Sequence, residues 1–111
     1  MGLSTHILDT SLGRPAANVW VIFSKQAGGE WQETGRAVTD ADGRCGALLQ
    51  DASLERATYK LRFEILPYFV AQNVSALYPY VEIVFAVDEP SQHYHIPLLL
   101  TANGYTTYRG S

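Results

Sequence analysis

The sequence predicts an all-β protein, an antiparallel β-sandwich of seven to eight short strands in a single domain that spans residues 1–111. Apolar and polar residues alternate with a period of two in several segments, as expected for strands that bury one face. Turn signals rich in glycine, proline and aspartate recur roughly every ten residues. The 111 residues are 47% hydrophobic and 17% charged, which is enough to fill one core, whereas two separate cores would need a longer chain.

Segments with strand character follow one another along most of the chain. The clearest is ATYKLRFEI at residues 57–65, whose four large apolar side chains are expected to share the buried face. The alternating segment EWQETGRAVT is the expected partner of VWVIFSKQ, from which AGG separates it. The remaining predicted strands are LSTHILD near the start, YVEIVFAV at residues 80–87, HYHIPLLL and GYTTYR.

One segment, LPYFVAQNVSALYP, does not fit the strand pattern. Its aromatic and amide side chains fall at mixed helical spacings between two prolines, so we expect a short helix or an irregular crossover here.

The run at Ile96, Leu98, Leu99 and Leu100 is apolar on both faces of a strand. A sandwich strand normally buries one face and exposes the other, so a second subunit or a loop should cover the outer side, and we favour a second subunit. Pro97 interrupts this run and suits an edge strand or a bulge better than a central strand.

Charge and composition exclude several classes of partner. The formal net charge is −3 and the eight Lys and Arg residues are scattered, so nucleic acid and an anionic membrane are not expected partners. No apolar run is long enough to span a bilayer and no secretory leader pattern is present, so we expect a cytoplasmic protein, although a removed leader would leave no trace.

Histidine is scarce, and its placement singles out candidate site residues. His93 and His95 are two apart on a predicted strand and therefore point to the same face, while His6 lies on the strand-like segment near the start. Each could also be an ordinary surface or hydrogen-bonded residue. From spacing alone a zinc site that uses the His-x-His pair stays open. The single cysteine, Cys45, is more simply interpreted as a small residue that packs in the fold.

The acidic segment Asp40-Ala41-Asp42-Gly43 predicts a hairpin turn and not a calcium loop. When Gly43 takes the sixth position of an EF-hand loop, Leu49 falls where the bidentate glutamate is needed. Arg44 follows the turn and is a candidate site residue, although a solvated turn arginine is the plainer interpretation.

Taken together, LSTHILD, GRPA, TDADGR, LYP, HYHIPLLL and the final GYTTYRGS closely resemble the 5-hydroxyisourate hydrolases, the transthyretin-related enzymes of urate breakdown. The resemblance covers essentially the whole chain, and HYHIPLLL followed by YRGS is its most specific part. It implies a prealbumin-like or transthyretin-like sandwich that assembles as a homotetramer, a dimer of dimers, with sites in the channel between dimers.

The resemblance also assigns roles by position. It implies a catalytic trio of His6, Arg44 and His95, a supporting substrate-binding role for His93, and no metal or other cofactor. The terminal residues that it places along the same site are Tyr108, Arg109, Gly110 and Ser111. Either the hydroxyl or the terminal carboxylate of Ser111 could act there, so we expect residues added after it to harm the site.

The implied reaction is hydrolysis of 5-hydroxyisourate to 2-oxo-4-hydroxy-4-carboxy-5-ureidoimidazoline, by attack of water on a cyclic amide carbonyl. This chemistry needs a base, for which histidine is suited at neutral pH, and a positive or donating group for the oxyanion. Two alternatives remain. One is a transthyretin-type carrier of a small hydrophobic ligand in the inter-dimer channel, and the other is a structural immunoglobulin-like domain.

Overall fold

Two four-stranded sheets pack against each other to form the fold. The computed structural model describes residues 2–46, 48–49 and 53–110. The strands in this part of the chain are β1 (Leu3–Asp9), β2 (Arg14–Pro15), β3 (Trp20–Ala27), β4 (Glu30–Val38), β5 (Ala57–Glu64), β6 (Val81–Val87), β7 (Tyr94–Thr101) and β8 (Gly104–Thr107). The first sheet has the order β2-β1-β7-β8 and the second β4-β3-β5-β6, so the predicted sandwich is confirmed.

The pairing of β1 with β7 departs from the purely antiparallel prediction. These two strands run parallel, in continuous register from Leu3 opposite Tyr94 to Asp9 opposite Leu100. The other pairings given for the described strands are antiparallel. Strands so distant in sequence are not joined by a tight turn, so neither a hairpin nor its antiparallel geometry is imposed on them.

The core lies between the two sheets and is built by the predicted alternation. On β5, the apolar side chains at alternate positions are buried and the charged ones between them remain partly exposed. The rings of Phe23 and Tyr59 stack at 5.0 Å between centroids, which ties β3 to β5. The largest fully buried side chains include Phe23, Phe63, Ile7, Leu48, Leu61, Ile65, Leu98 and Leu100.

The hairpin that joins β3 to β4 turns at two glycines. Gly28 and Gly29 have φ angles of +60° and +82°, a conformation in which a side chain would be strained. The AGG turn signal and the predicted partnership of the two strands are therefore confirmed.

The hairpin predicted at Asp40–Gly43 is wrong in one respect. The turn forms, and the Gly43 amide donates to the Asp40 carbonyl at 2.9 Å. The chain after the turn, however, does not return as a strand beside β4. It crosses to the first sheet, where Arg44 makes an isolated antiparallel bridge with His6 of β1. The physical reason is a backbone hydrogen bond in which the Ile7 amide of β1 donates to the Gly43 carbonyl.

The assignment of Pro97 to an edge or a bulge is also wrong. β7 lies inside its sheet between β1 and β8, and its register with β1 is unbroken at Pro97. The Ile96 carbonyl accepts a hydrogen bond from the Thr5 hydroxyl of β1, and the Leu100 carbonyl accepts one from the Thr10 amide just after β1. The Pro97 carbonyl points the opposite way and accepts from the Thr107 hydroxyl of β8. The missing N–H therefore faces the β8 side, where regular pairing ends at Leu98.

The apolar run of β7 divides between two faces. Ile96, Leu98 and Leu100 are buried in the core, whereas Leu99 lies on the outer face and is half-buried. What covers the outer face stays a prediction.

The irregular segment contains the expected short helix, α1 (Leu66–Ala71), with a proline in its first turn. Phe69 anchors this helix to the core. Within the described residues, no helix combines the length and the apolar character needed to cross a membrane.

Two valines of β6 provide a matched test of the inward and outward faces. Val81 is 1% exposed and Val84 is 56% exposed, so Val81→Ala should lower the free energy of unfolding by about 2–3 kcal/mol through lost burial and a cavity. Val84→Ala removes the same atoms and has the same loss of strand propensity, and should cost less than about 1 kcal/mol. Urea unfolding at one protein concentration measures both. Equal losses for the two variants would contradict the assignment of faces.

Candidate active site

The outer face of the first sheet carries the histidines that the sequence singled out. On β1 the odd-numbered side chains are buried, so Ser4 and His6 point outward. The parallel register sets Ser4 beside His95 and His6 beside Pro97. His6 and His95 therefore share one sheet face on adjacent strands, although 89 positions separate them in the sequence.

The TDADGR turn delivers Arg44 to the same place. The Asp40 carboxylate accepts hydrogen bonds from the amides of Asp42 and Arg44, at 2.9 Å and 3.0 Å. The Gly43 carbonyl then accepts from the Ile7 amide at 2.9 Å. Because a Cβ at Gly43 would lie 2.5 Å from the Ile7 oxygen, and because its φ is +75°, only glycine fits this approach. Arg44 is consequently locked beside His6, with its own side chain exposed.

His95 is the half-buried centre of the group. Burial lowers the pKa of its imidazole below the ordinary value of 6.5, and electrostatic interaction with Arg44, His6 and His93 lowers that pKa further. A hydrogen bond with the backbone of Ser4 opposes these effects. The net result is an imidazole that stays neutral at neutral pH, the protonation state required of a general base.

The chain after β8 returns to β7 and closes against His95. The Gly110 amide donates to the His95 carbonyl at 2.7 Å, in an isolated antiparallel bridge. A Cβ at Gly110 would lie 2.5 Å from Cδ2 of His95 and 3.3 Å from Cγ. Glycine is therefore required here so that the backbone can pack directly against the imidazole.

Arg109 is held away from this face. Its guanidinium carbon lies 4.1 Å from the centre of the Tyr94 ring, and it donates to Gln92 Oε1 at 3.0 Å and to the His93 carbonyl at 3.2 Å. Because Tyr94 and His95 point to opposite faces of β7, the guanidinium does not join the imidazoles. Tyr108 is exposed, and Ser111 lies outside the described residues.

Sequence reasoning missed Ser4. Its Oγ lies 2.8 Å from His93 Nε2 and 2.8 Å from His95 Nδ1, so one hydroxyl joins both imidazoles. The expected common face of His93 and His95 is therefore confirmed. Strand alternation put Ser4 on the face of His6, which is the signal that could have identified it, but serine is too common on exposed strand faces to stand out.

The remaining chemical groups contribute no competing centre in the part of the chain that the structure describes. There, no three His, Cys, Asp or Glu side chains are arranged to hold a metal ion. Cys45 is buried, as expected, and burial raises its thiol pKa to about 11, so it is not a reactive nucleophile. Two surface cavities of about 470 and 420 Å³ are lined by neither His6 nor His95, which are both half-buried.

Comparison with known proteins identifies the family of this chain. A family model described as HIUase/Transthyretin family matches residues 3–110. A 5-hydroxyisourate hydrolase of Mus musculus is 40% identical, over 98% of this chain and 94% of its own length.

Two solved structures share the fold. The Klebsiella pneumoniae 5-hydroxyisourate hydrolase has a TM-score of 0.87 at 33% identity and covers 100% of both chains. Sea bream transthyretin in complex with thyroxine has a TM-score of 0.92 at 29% identity, over 99% of this chain and 95% of its own. Because the family model matches nearly the whole chain, and because the mouse hydrolase is 40% identical over nearly its full length, this chain belongs to the HIUase/Transthyretin family.

Proposed function

We propose that this chain is a 5-hydroxyisourate hydrolase that opens the six-membered ring of its substrate to give 2-oxo-4-hydroxy-4-carboxy-5-ureidoimidazoline. The observation that carries the proposal is the convergence of His6, Arg44 and His95 on one sheet face, with Arg44 bridged to His6 and His95 on the adjacent strand. The hydrolases named among its relatives support the same activity.

In the proposed mechanism, His95 is the general base. Its lowered pKa keeps the imidazole neutral at neutral pH, so it can accept a proton from water as the water oxygen bonds to the cyclic amide carbonyl. The carbonyl π electrons move onto oxygen to give a tetrahedral oxyanion. When that oxyanion collapses, the ring C–N bond breaks, and the proton held by His95 passes to the departing nitrogen.

Arg44 and His6 act on the substrate side of this step. The exposed guanidinium of Arg44 is the strongest donor on the face, and it would orient the flat substrate and stabilise the oxyanion. His6, bridged to Arg44 through the backbone, shares in proton transfer and hydrogen bonding to the substrate.

The chain end shapes the site. Gly110 supports the His95 ring, and the contacts of Arg109 with Tyr94 and Gln92 favour an anchoring role that holds the terminal segment in position. Substrate contacts by Tyr108, Ser111 and His93 stay predictions.

The partly exposed side chains of this face also support the proposed homotetramer, a dimer of dimers. Hydrolysis in the proposed manner benefits from exclusion of bulk water, which a single copy does not provide while His6 and His95 remain partly exposed. Half-buried Leu8 and Leu99 lie on this same face and would pack against a second copy. Action in the cytoplasm, without nucleic acid or a membrane as partner, likewise stays a prediction from the sequence.

The alternative function is carriage of a small hydrophobic ligand, which the similarity to a thyroxine-bound transthyretin suggests. The polar groups of His6, Arg44 and His95 argue against it, because a hydrophobic ligand would bury them without replacing their hydrogen bonds to water. Calorimetric titration with thyroxine separates the two functions, and the hydrolase proposal expects no specific binding.

The proposed activity is tested with 5-hydroxyisourate generated from urate by a urate oxidase. Its ultraviolet absorbance should decay faster with this protein than without it. We expect His95→Ala to lower kcat by about 10²–10⁴-fold and Arg44→Ala by about 10²–10³-fold. His6→Ala should also lower kcat.

Arg36→Ala is the matched control, since Arg36 lies on the other sheet, paired with Glu33, and should retain full activity. Sedimentation verifies that each variant assembles like the wild type. Decay no faster than the spontaneous reaction would refute the activity, and full rates in all three site variants would refute the site.

The pH profile tests His95 as the base. A base acts in its neutral form, so kcat/KM should fall as the pH drops through its pKa, with half of the plateau value reached below pH 6.5. The charged and titratable groups that face it are Arg44, His6 and His93. Arg44→Gln removes one positive neighbour and should move the midpoint to higher pH. A midpoint above 6.5 in the wild type, after subtraction of the spontaneous rate at each pH, would contradict this assignment.

The fit of Gly110 against the imidazole gives a separate test. Gly110→Ala should lower kcat by about 10-fold or more, because the added methyl must displace either His95 or the terminal segment. Gly104→Ala is the control, since a Cβ there meets only Thr101 Oγ1, at 3.8 Å, an ordinary contact. Stopped-flow assays of the two assembled variants provide the comparison. Equal activity would show that the close approach has no functional role.

A further inference from the structure

Ser4 occupies the one position on β1 that touches both members of the His-x-His pair. It lies directly opposite His95 in the parallel register, on the outward face of the strand. Its Oγ is 2.8 Å from His95 Nδ1 and 2.8 Å from His93 Nε2, both within ordinary hydrogen-bond length. The two imidazoles are thus joined through a single hydroxyl oxygen.

A hydroxyl constrains the protons of such a chain. It carries one hydrogen, so it can donate to one imidazole only, and at least one of the two ring nitrogens must donate to it. A neutral imidazole has one N–H, and the proton on one ring nitrogen leaves the other with a lone pair. Whichever way the Ser4 hydrogen points therefore sets the tautomer of His95.

We propose that Ser4 is a positioning residue that fixes His95 in the Nδ1–H tautomer, with Nδ1 donating to Ser4 Oγ and the Ser4 hydroxyl donating to His93 Nε2. This inference rests on the proposed function. His95 Nδ1 is occupied by Ser4, so Nε2 is the nitrogen left to take a proton from water. Only the Nδ1–H tautomer leaves a lone pair on Nε2.

The same chain stabilises the charge that forms on His95. When Nε2 takes up a proton, the imidazolium donates to Ser4 through a charge-assisted bond, which is stronger than its neutral counterpart. His93 keeps the Ser4 hydrogen turned away from His95, so that the Ser4 lone pair stays available to Nδ1. This gives His93, which is exposed and lies just before β7, a supporting role that acts through Ser4.

The first test reads the tautomer directly. Long-range ¹H–¹⁵N spectra of ¹⁵N-histidine-labelled protein, recorded above pH 6.5 where His95 is neutral, separate the two tautomers by the shifts of their ring nitrogens. We expect Nδ1–H for His95 in the wild type and in Ser4→Thr, which retains a hydroxyl. In Ser4→Ala the Nε2–H form should appear. An Nε2–H tautomer in the wild type, or no change in Ser4→Ala, would overturn the inference.

The second test is kinetic. Ser4→Ala should lower kcat by about 10–100-fold, as expected for loss of an orienting partner, with little change in KM, and Ser4→Thr should restore most of the rate. Ser75→Ala, at an exposed serine outside the strands, is the matched control with wild-type activity. A full rate in Ser4→Ala would overturn the inference.

The two tests also separate this inference from the proposed function. A wild-type protein with the expected tautomer but no hydrolysis would refute the function and leave the role of Ser4 in the His95 tautomer standing. A wild-type protein that hydrolyses 5-hydroxyisourate, with a Ser4→Ala variant unchanged in both tautomer and rate, would refute the role of Ser4 alone.

Discussion

The parallel pairing of β1 with β7 is the constraint on which the site depends. Side chains alternate along a strand, so a shift of one residue in this register would turn His95 away from Ser4 and His6. The pairing is held by buried side chains on the inner face, and by Thr5 Oγ1, which donates to the Ile96 carbonyl at 2.6 Å. The same register therefore serves the core on one face and the candidate site on the other.

Two glycines bring loop segments onto that framework. Gly43 allows the TDADGR turn to pack against the Ile7 carbonyl, and this contact places Arg44 beside His6. Gly110 allows the terminal segment to pack against the His95 ring. In both places a Cβ atom would lie 2.5 Å from a neighbouring atom, so the absence of a side chain is what allows the close packing. Sheet strands carry His6 and His95, whereas the segments that carry Arg44 and the chain end are held against those strands by loop hydrogen bonds.

The candidate site brings together an arginine and histidines, groups that can carry the same positive charge and that then repel one another. Arg44 and the neighbouring histidines disfavour a proton on His95, which suits its proposed role as a base, and the positive charge of Arg44 suits the oxyanion of the proposed reaction. The partly exposed side chains of this face, in contrast, support the proposed association with a second copy. A face that bears both polar groups and half-buried leucines is what an interface that encloses a polar substrate requires.

The sequence by itself determined the local structure: the strand segments, the AGG and Asp-Gly turns, the buried alternation of β5, the short helix, and the shared face of His93 and His95. Each follows from periodicity or turn chemistry within about ten residues. The resemblance to a family supplied the proposed trio of His6, Arg44 and His95. Neither that resemblance nor the strand pattern revealed the contacts of Ser4, or the contacts that hold Arg109 beside Tyr94 and Gln92. Only the tertiary structure decided that β1 and β7 pair in parallel, that the Asp-Gly turn crosses between sheets, and that Pro97 sits inside a sheet. These depend on pairing between segments that lie about 40 to about 90 residues apart, which packing of the whole core sets and no local pattern encodes.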